Sequence, residues 1–235
     1  AAIDPVCDDP TATLLALLAH PNIASKEHVV RRYDHEILGA TLVRPVVGVA
    51  SDAPADGTVL ARPTEQHGIA LGIGVNPWFG LHDPERMAHA VVDEAMRNVV
   101  AAGADPSMVC LLDNFSWGNC NHEDRMGSLV LASEGCYRAA IAYGTPFISG
   151  KDSLNNEFKV GERTIAIPPT LLISALSIVP DVTKVVASDW VCAGSTLYVV
   201  GETKQHFGGS HYYLLNKWEG GSVPRPDLQQ APQLM

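Results

Sequence analysis

The residues best suited to chemistry lie in two polar segments, one on each side of a helical stretch. The first begins with Asp113 and Asn114, directly after the apolar run 108–112, and the second runs from Gly150 to Ser153 after another short apolar run. Two strands joined by a helix bring their carboxyl ends to one edge of a sheet, where ligands commonly bind. The sequence therefore predicts that a carboxylate, amides, a glycine, a lysine and a serine meet in one place. That set suits a phosphate ligand with a divalent cation.

Individual roles follow from the side-chain types. Asp113 could hold Mg²⁺ or accept a hydrogen bond from a nucleotide, Lys151 could neutralise phosphate as a point charge, and Ser153 could donate to a phosphate or hydroxyl. A structural alternative stays open, with Lys151 and Asp152 as an exposed ion pair and Ser153 in a turn. The chain contains no G-x-x-x-x-G-K-[ST] and no G-x-G-x-x-G, so neither the P-loop nor the Rossmann account applies.

A second group of oxygen ligands lies upstream. Glu94 and Asn98 are four residues apart in a predicted helix, so they share one helix face. A carboxylate and an amide oxygen one turn apart suit Mg²⁺. Asp56, in the loop 52–57, would join them if the fold brings it close. On spacing alone, a solvated surface pair on an ordinary helix is the alternative, and Asp56 alone is a common turn residue.

The cysteines and histidines give weaker indications. The five cysteines are odd in number and show no C-x-x-C spacing, which indicates a reduced, cytosolic protein. Cys120 and His122 could be two metal ligands, but no second Cys/His pair completes such a site. An ordinary loop is therefore the favoured interpretation of these two residues.

Composition excludes several classes of protein. The chain has 235 residues, of which 46% are hydrophobic, enough for one large domain or two small ones. Its formal net charge of −10 and the absence of a Lys/Arg cluster argue against sequence-independent nucleic-acid binding. No apolar run reaches membrane-spanning length. A phosphate ligand would need local positive groups, backbone N–H groups or Mg²⁺.

The pattern of residues predicts alternating strands and helices. Asp9 and Ser25 are candidate helix caps, and Asp83-Pro84 is a strong helix start. The expected helices cover about 9–20, 83–102 and 125–143, with a short one from Ser25. The expected strands cover about 43–50, 58–62, 69–75, 108–112, 146–149, 169–179 and 197–201. The last of these would open a second, unfinished domain.

Several separated motifs together resemble one enzyme family, phosphoribosylformylglycinamidine synthase, in its smaller synthetase-subunit form. The resemblance spans roughly residues 25–215. Its motifs are RRYDHEILG (31–39), NPW (76–78), VVDEAMRNVVAAGADP (91–106), LLDNFSWGN (111–119), ISGKDSLNNEF (148–158) and IPPTLLISALSIVPDV (167–182).

The resemblance implies a fold and a division of the chain. The expected fold is α/β (α+β), an aminoimidazole ribonucleotide synthetase-like N-terminal domain with a mixed sheet and flanking helices, followed by the start of a second α/β domain. Residues 1–44 would be a helical N-terminal segment, 45–182 the ATP-binding domain, and 183–235 the partial second domain and tail. The chain would correspond to the second of two homologous halves, so the catalytic histidine of the first half has no counterpart here.

The resemblance also implies roles for single residues. Ala55, Asp113, Gly150 and Lys151 would contact ATP or ADP, and Ser153 would contact the substrate. Asp56, Glu94 and Asn98 would hold Mg²⁺ at an auxiliary nucleotide site. No catalytic residue is expected in this chain.

The implied reaction converts formylglycinamide ribonucleotide, ATP and ammonia from glutamine to formylglycinamidine ribonucleotide, ADP and phosphate, in the cytoplasm. The implied partners are the remaining half of the synthetase, a glutaminase subunit or domain and a small bridging subunit. The chain alone is expected to be inactive and to form a homodimer. Two rival interpretations are a non-catalytic nucleotide-binding module and another enzyme of the same superfamily, such as a selenophosphate synthetase or thiamine phosphate kinase.

Overall fold

A six-stranded mixed sheet, covered on one face by two long helices, organises the structure. The computed structural model describes residues 6–36, 38–189 and 192–235. The helices are α1 (Pro10–Ala19), α2 (Glu27–Val30), α3 (Pro77–Gly80), α4 (Pro84–Ala101), α5 (Glu123–Tyr143) and α6 (His211–Leu215). The strands are β1 (Thr41–Val43), β2 (Val46–Val47), β3 (Ala53–Pro54), β4 (Gly57–Leu60), β5 (Gly68–Val75), β6 (Cys110–Ser116), β7 (Phe147–Ser153), β8 (Glu157–Val160), β9 (Arg163–Ala166) and β10 (Thr170–Val179).

The main sheet has the strand order β1-β4-β5-β10-β6-β7. β6 and β7 run parallel, whereas the other neighbouring strands pair antiparallel. Helix α5 joins the two parallel strands, because parallel neighbours need a long crossover connection rather than a tight turn. The mixed sheet implied by the family resemblance is therefore confirmed, and β10 is an interior strand of it.

Helix α4 follows the predicted pattern. The Asp83 carboxylate accepts a hydrogen bond from the backbone N–H of Arg86 at 3.0 Å, and Pro84 occupies the first helical position. Six apolar residues at helical spacing along the segment 83–102 are all buried: Met87, Val91, Val92, Ala95, Val99 and Ala102. Gly103 and Gly144, which follow the ends of α4 and α5, have φ of 99° and 65°, as is typical of glycines that terminate helices. Local capping and helical spacing thus define the layer beneath the sheet.

The opposite face of the sheet remains apolar and open. Alternate residues of β5 are buried, and the residues between them are exposed. Ile73 on β5 is 53% exposed and Ile148 on β7 is 59% exposed. The exposed apolar residues of this open face are Leu60, Ile69, Leu71, Ile73, Val75, Ile148 and Ile178.

The structure differs from the strands expected from the sequence at several places, and the expected strand 43–50 is reduced to the end of β1 and the short β2. Residues 197–201 form no strand, and the Leu197–Val200 side chains are exposed, because no described strand pairs with them. β6 and β7 extend beyond their apolar runs to Ser116 and Ser153, since their parallel ladder continues through the polar residues. The β8–β9 hairpin was missed, although Gly161, with φ of 59°, marks its two-residue turn.

The described part of the chain contains no helix that is both long and apolar enough to cross a membrane.

Candidate functional site

Asp113 and Gly150 lie directly opposite each other on the parallel strands β6 and β7. Both belong to strands rather than to the loops that follow them. A Cβ atom at residue 150 would overlap the Asp113 carboxylate, so glycine makes room for this acid. The juxtaposition of the two polar segments is therefore present, and it rests on the continuous parallel ladder.

The polar residues are divided between the two faces of the sheet, because successive side chains of a strand point in opposite directions. Leu111 and Phe115 are buried in the core beneath the sheet, so Asp113 lies on that same helix-covered face, with Gly150 as its neighbour. Asn114 pairs with Lys151, and Ser116 pairs with Ser153, which places these residues on the open face. The expectation that all of these groups meet in one place is therefore wrong.

Lys151 and Ser153 contact each other on the open face. The Lys151 Nζ donates a hydrogen bond to the Ser153 Oγ at 2.5 Å. None of the ion pairs in the described part of the chain joins Lys151 to Asp152, so the structural alternative of an exposed pair does not apply. Close by, the Asn114 Oδ1 is buried without a hydrogen-bond partner among the described groups. An ammonium, a hydroxyl and an amide thus border one another on this face.

The environment of Asp113 favours its protonated form. Burial raises the pKa of Asp113, and the negative charge of Asp152 raises it further, whereas hydrogen bonds from the backbone N–H groups of Lys151 and Asp113 lower it. Burial likewise raises the pKa of Cys136 on α5 to about 12, and the charge of Asp113 adds to this effect. The Cys136 interaction agrees with the position of Asp113 on the helix-covered face.

Glu94 and Asn98 of α4 both contact the main chain of β5. The Glu94 Oε2 accepts from the Val75 N–H at 2.9 Å, and the Asn98 Nδ2 donates to the Ile73 carbonyl at 2.8 Å. Although Glu94 as a residue is exposed, partial burial of its carboxyl group raises its pKa, the Val75 N–H lowers it, and Asp93 raises it. The pair is therefore anchored to the sheet, and the alternative of a freely solvated pair is wrong.

Asp56 directly precedes the part of β4 that lies against Asn98 of α4. It precedes Gly57, whose added Cβ would lie 2.7 Å from the Asn98 carbonyl oxygen, so the main chain of β4 approaches α4 closely here. Ala55 and Asp56 also line a cavity of about 230 Å³ together with Ala101, Ala102 and residues 186–188. Glu94 Oε1 and Asn98 Oδ1 are the oxygens that their bonds to β5 leave for a ligand. This set of carboxylate and amide oxygens fits the chemistry of Mg²⁺.

The loop after β6 is held in place by the β8–β9 hairpin. The Arg125 Nη1 lies 2.5 Å from the Glu157 Oε2, which also accepts from the Asn119 N–H at 3.2 Å. Cys120 donates to the carbonyl of Gly118 at 3.5 Å. No group of three or more His, Cys, Asp or Glu in the described ranges is placed to hold a metal ion. The interpretation of Cys120 and His122 as ordinary loop residues stays a prediction.

Comparison with known proteins places this geometry in a family. The family model described as "AIR synthase related protein, N-terminal domain" matches residues 55–179, more than half of the chain. The chain belongs to this family. The match covers β4 to β10 with α4 and α5, so these elements correspond to the family's N-terminal domain, whereas β1 lies outside the matched residues.

The curated relatives are longer proteins. The phosphoribosylformylglycinamidine synthase subunit PurL of Deinococcus radiodurans is 34% identical over 237 residues, covering 98% of this chain and 30% of the relative. The PurL subunit of Methanocaldococcus jannaschii is 36% identical over 232 residues, covering 97% of this chain and 30% of the relative. The chain therefore spans about 30% of the length of the curated relatives that it matches.

Solved structures show the same fold. Thermotoga maritima PurL complexed with ADP gives a TM-score of 0.55 at 24% identity, covering 69% of this chain and 25% of that one. The same protein complexed with FGAR gives a TM-score of 0.53 at 25% identity, covering 67% of this chain and 23% of that one. The expected fold class is thus confirmed.

Two side chains carry buried polar atoms whose surroundings the sequence did not predict. The Asn114 Oδ1 and both ring nitrogens of His89 are buried without hydrogen-bond partners among the described groups. Asn114 lies in the motif LLDNFSWGN (111–119), and the resemblance implied no role for this residue. His89 follows Glu85 by one helical turn, and this spacing was the available signal.

Proposed function

We propose that this chain is part of an ATP-dependent phosphoribosylformylglycinamidine synthase of purine biosynthesis. The supporting observation is that the curated relatives bear this name and align with nearly the whole chain. The substrates would be formylglycinamide ribonucleotide, ATP and ammonia released from glutamine by a glutaminase partner. The odd set of free cysteines in the described residues suits a cytoplasmic enzyme of this kind.

In the reaction, the amide oxygen of the substrate attacks the γ-phosphorus of ATP and the bond to ADP breaks. Ammonia then displaces phosphate from the resulting iminophosphate carbon to give the amidine. Lys151 would neutralise phosphate charge on the open face, and Ser153, held by Lys151, would orient the substrate. Asp113 and Gly150, on the other face, would contact the nucleotide where β7 forms the free edge of the sheet. One nucleotide could reach both faces only around this edge.

Mg²⁺ would be held by Asp56, Glu94 and Asn98, with Ala55 beside the nucleotide. A divalent cation in such a site supplies charge neutralisation for the phosphates of a bound nucleotide. The contribution of the chain is to fix Glu94 and Asn98 against β5 so that one oxygen of each is left for the ion.

The open face supports a proposal about partners. Its exposed apolar side chains, together with Lys151 and Ser153, would be covered by a sheet of the same kind from the remaining half of the synthetase or from a second copy of the chain. A small bridging subunit would complete the assembly. Because the partner would contribute the rest of the site, the chain alone would bind nucleotide weakly and form no amidine.

Reconstitution tests this function. The chain is mixed with a polypeptide that carries the remaining half and with a glutaminase, and amidine formation is measured. Activity is expected only in the mixture. Ser153→Ala is expected to weaken substrate use, and Asp113→Asn to reduce ATP use more, because one hydroxyl hydrogen bond contributes only ~0.5–1.5 kcal/mol. Turnover by the chain alone, or silence of both substitutions, would refute the proposal. If the complete mixture bound nucleotide but formed no amidine, the result would support the rival interpretation of the chain as a non-catalytic nucleotide-binding module.

A further inference from the structure

A basic cavity lies between α4, α5 and the C-terminal segment 204–229. None of the residues proposed above to bind nucleotide, substrate or Mg²⁺ lines it. Its volume is about 570 Å³, within the range of small-molecule sites, ~300–1,000 Å³. Its wall includes Arg86, Arg138, Lys204 and Arg225, which are four of the 16 Lys and Arg residues in a chain of net charge −10. Such a concentration of cations in an acidic chain is the first indication of an anionic ligand.

His89 supplies a second, independent indication. This residue lines the cavity and is only 2% exposed. Neither of its ring nitrogens has a hydrogen-bond partner among the described groups, and the Glu85 Oε1 is 3.9 Å from its Nε2, beyond hydrogen-bonding distance. Because buried polar groups in proteins are nearly always hydrogen-bonded, an unpartnered imidazole in the cavity wall indicates a partner that enters the cavity.

Two of the four cations are already engaged in the wall. Arg86 donates to the Ser222 Oγ at 2.6 Å and pairs with Asp83 at 3.2 Å, and Arg138 pairs with Glu85 at 2.5 Å. These contacts join α4 to the C-terminal segment and to α5. They stabilise the cavity and leave the remaining cations to face a ligand.

Arg225 is available to a ligand, and Lys204 is held only by an exposed ion pair that a ligand could replace. In the described part of the chain, the Arg225 side chain forms no ion pair or hydrogen bond, and Lys204 pairs only with Glu202, at 3.2 Å. The wall carries four cations against two carboxylates, Glu85, which pairs with Arg138, and Asp227, which accepts from the backbone N–H of Gln229 at 2.9 Å and keeps its charge. The balance of accessible charge in the cavity is therefore positive.

The lowered pKa of His89 favours a neutral imidazole that can donate one hydrogen bond. Burial lowers the pKa of His89, Glu85 raises it, Arg225 and Arg138 lower it, and Asp83 raises it. A neutral imidazole has one N–H that can donate to an acceptor. The imidazole would therefore join the two cations as a third donor, without adding a third charge.

We propose that this cavity binds a small phosphate-bearing molecule. Arg225 and Lys204 contact the phosphate oxygens, and His89 donates to the phosphate from the buried end. A phosphate accepts hydrogen bonds from several directions, which matches three donors on three separate parts of the wall. The site is independent of the proposed nucleotide site, so each can fail without the other.

The test uses the whole chain with inorganic phosphate as probe and chloride at matched ionic strength. Titration is followed by calorimetry and by the ¹⁵N signals of the histidine rings. Phosphate is expected to saturate the chain and to shift the His89 ring signals, whereas chloride leaves them in place. A phosphate monoester such as glycerol phosphate should bind at least as tightly, and anionic lipid vesicles should not compete. Vesicle competition at equal phosphate concentration would contradict a small soluble ligand.

Substitutions make the test specific. Arg225→Gln is expected to weaken phosphate binding at least about tenfold. It should leave folding unchanged because Arg225 is exposed, and His89→Gln should weaken binding in the same direction. Arg163→Gln, an exposed arginine of the β8–β9 hairpin, is the matched control and should change nothing. Asp113→Asn should also leave phosphate affinity intact.

Three outcomes would overturn the proposal. They are equal phosphate affinity in Arg225→Gln and in the unaltered chain, His89 ring signals that phosphate does not shift, and a loss of phosphate affinity in Arg163→Gln.

Discussion

The Asp113 carboxylate occupies the space where a side chain at residue 150 would lie. The two residues are direct partners across the parallel strands β6 and β7. This contact explains why a flexible residue lies inside a strand, where glycine is otherwise unfavourable. The acid and the glycine are therefore one structural unit, and a change in either one acts on the other.

Gly150→Ala is expected to destabilise the chain by about 1–3 kcal/mol, because the new methyl group must displace the carboxylate or the strand. Adding Asp113→Ala to this variant should recover most of the loss, and a double-mutant cycle from urea unfolding measures the coupling. Gly127→Ala is the matched control. A Cβ there meets nothing within 4 Å, and in the interior of a helix alanine should stabilise by about 0.5–1 kcal/mol. Additive effects of the two substitutions would contradict the assigned contact.

The raised pKa of Asp113 predicts a stability change with pH. A carboxyl whose pKa is higher in the folded chain than in the unfolded one binds more protons when folded, so its contribution to stability falls as pH rises between those two values. Asp113→Asn should therefore stabilise the free chain at neutral pH and should lose this advantage below the unfolded pKa. Unfolding followed at several pH values checks the prediction. A variant that is less stable than the original chain at pH 7 would contradict it.

Much of the fold was predictable from the sequence, because capping, helical spacing and apolar runs are local. Asp83-Pro84 and the inner face of α4 are examples in which local rules and packing agree. The ends of β6 and β7 were not predictable, since the parallel ladder carries them through polar residues. Residues 197–201 are an apolar run that suggested a strand, but they form none, because no described strand pairs with them.

The sequence predicted which residues of the candidate site lie near one another, but not the face of the sheet on which each side chain lies. The sequence placed Asp113 near Gly150 and Lys151, but the faces on which they lie depend on the register, and a shift of one residue reverses them. His89 and Arg225 were missed because they are far apart in sequence and share a cavity only in the folded chain. The assigned site roles and the division of the chain at residues 44 and 182 stay predictions.

The group of Asp56, Glu94 and Asn98 predicts a measurable cation site. Mn²⁺, a paramagnetic substitute for Mg²⁺, should broaden the NMR signals of all three residues together when nucleotide is present. Asp56→Asn and Glu94→Gln should each weaken this effect. Asn98→Ala should also cost about 0.5–1.5 kcal/mol of stability through its lost bond to the Ile73 carbonyl. Asp52→Asn, in the same loop, is the matched control. Broadening at Glu94 without broadening at Asp56 would refute a shared ion.

The open face predicts self-association of the isolated chain. Its apolar side chains lie in one continuous layer of the sheet, and burying them removes apolar surface from water. We expect light scattering to show a dimer whose population rises with concentration. Ile73→Lys should weaken the dimer at least about tenfold, ~1.4 kcal/mol, because the new ammonium would lose its hydration at the interface.

Ile141→Lys gives the matched control for this face. Ile141 is 63% exposed, comparable with Ile73, but it lies on α5. This substitution should leave dimerisation unchanged, since it adds the same charge outside the proposed interface. When the remaining half of the synthetase is added, it should displace the second copy, because both would cover the same side chains. A monodisperse monomer at high concentration, or equal effects of the two substitutions, would show that the open face is not the interface.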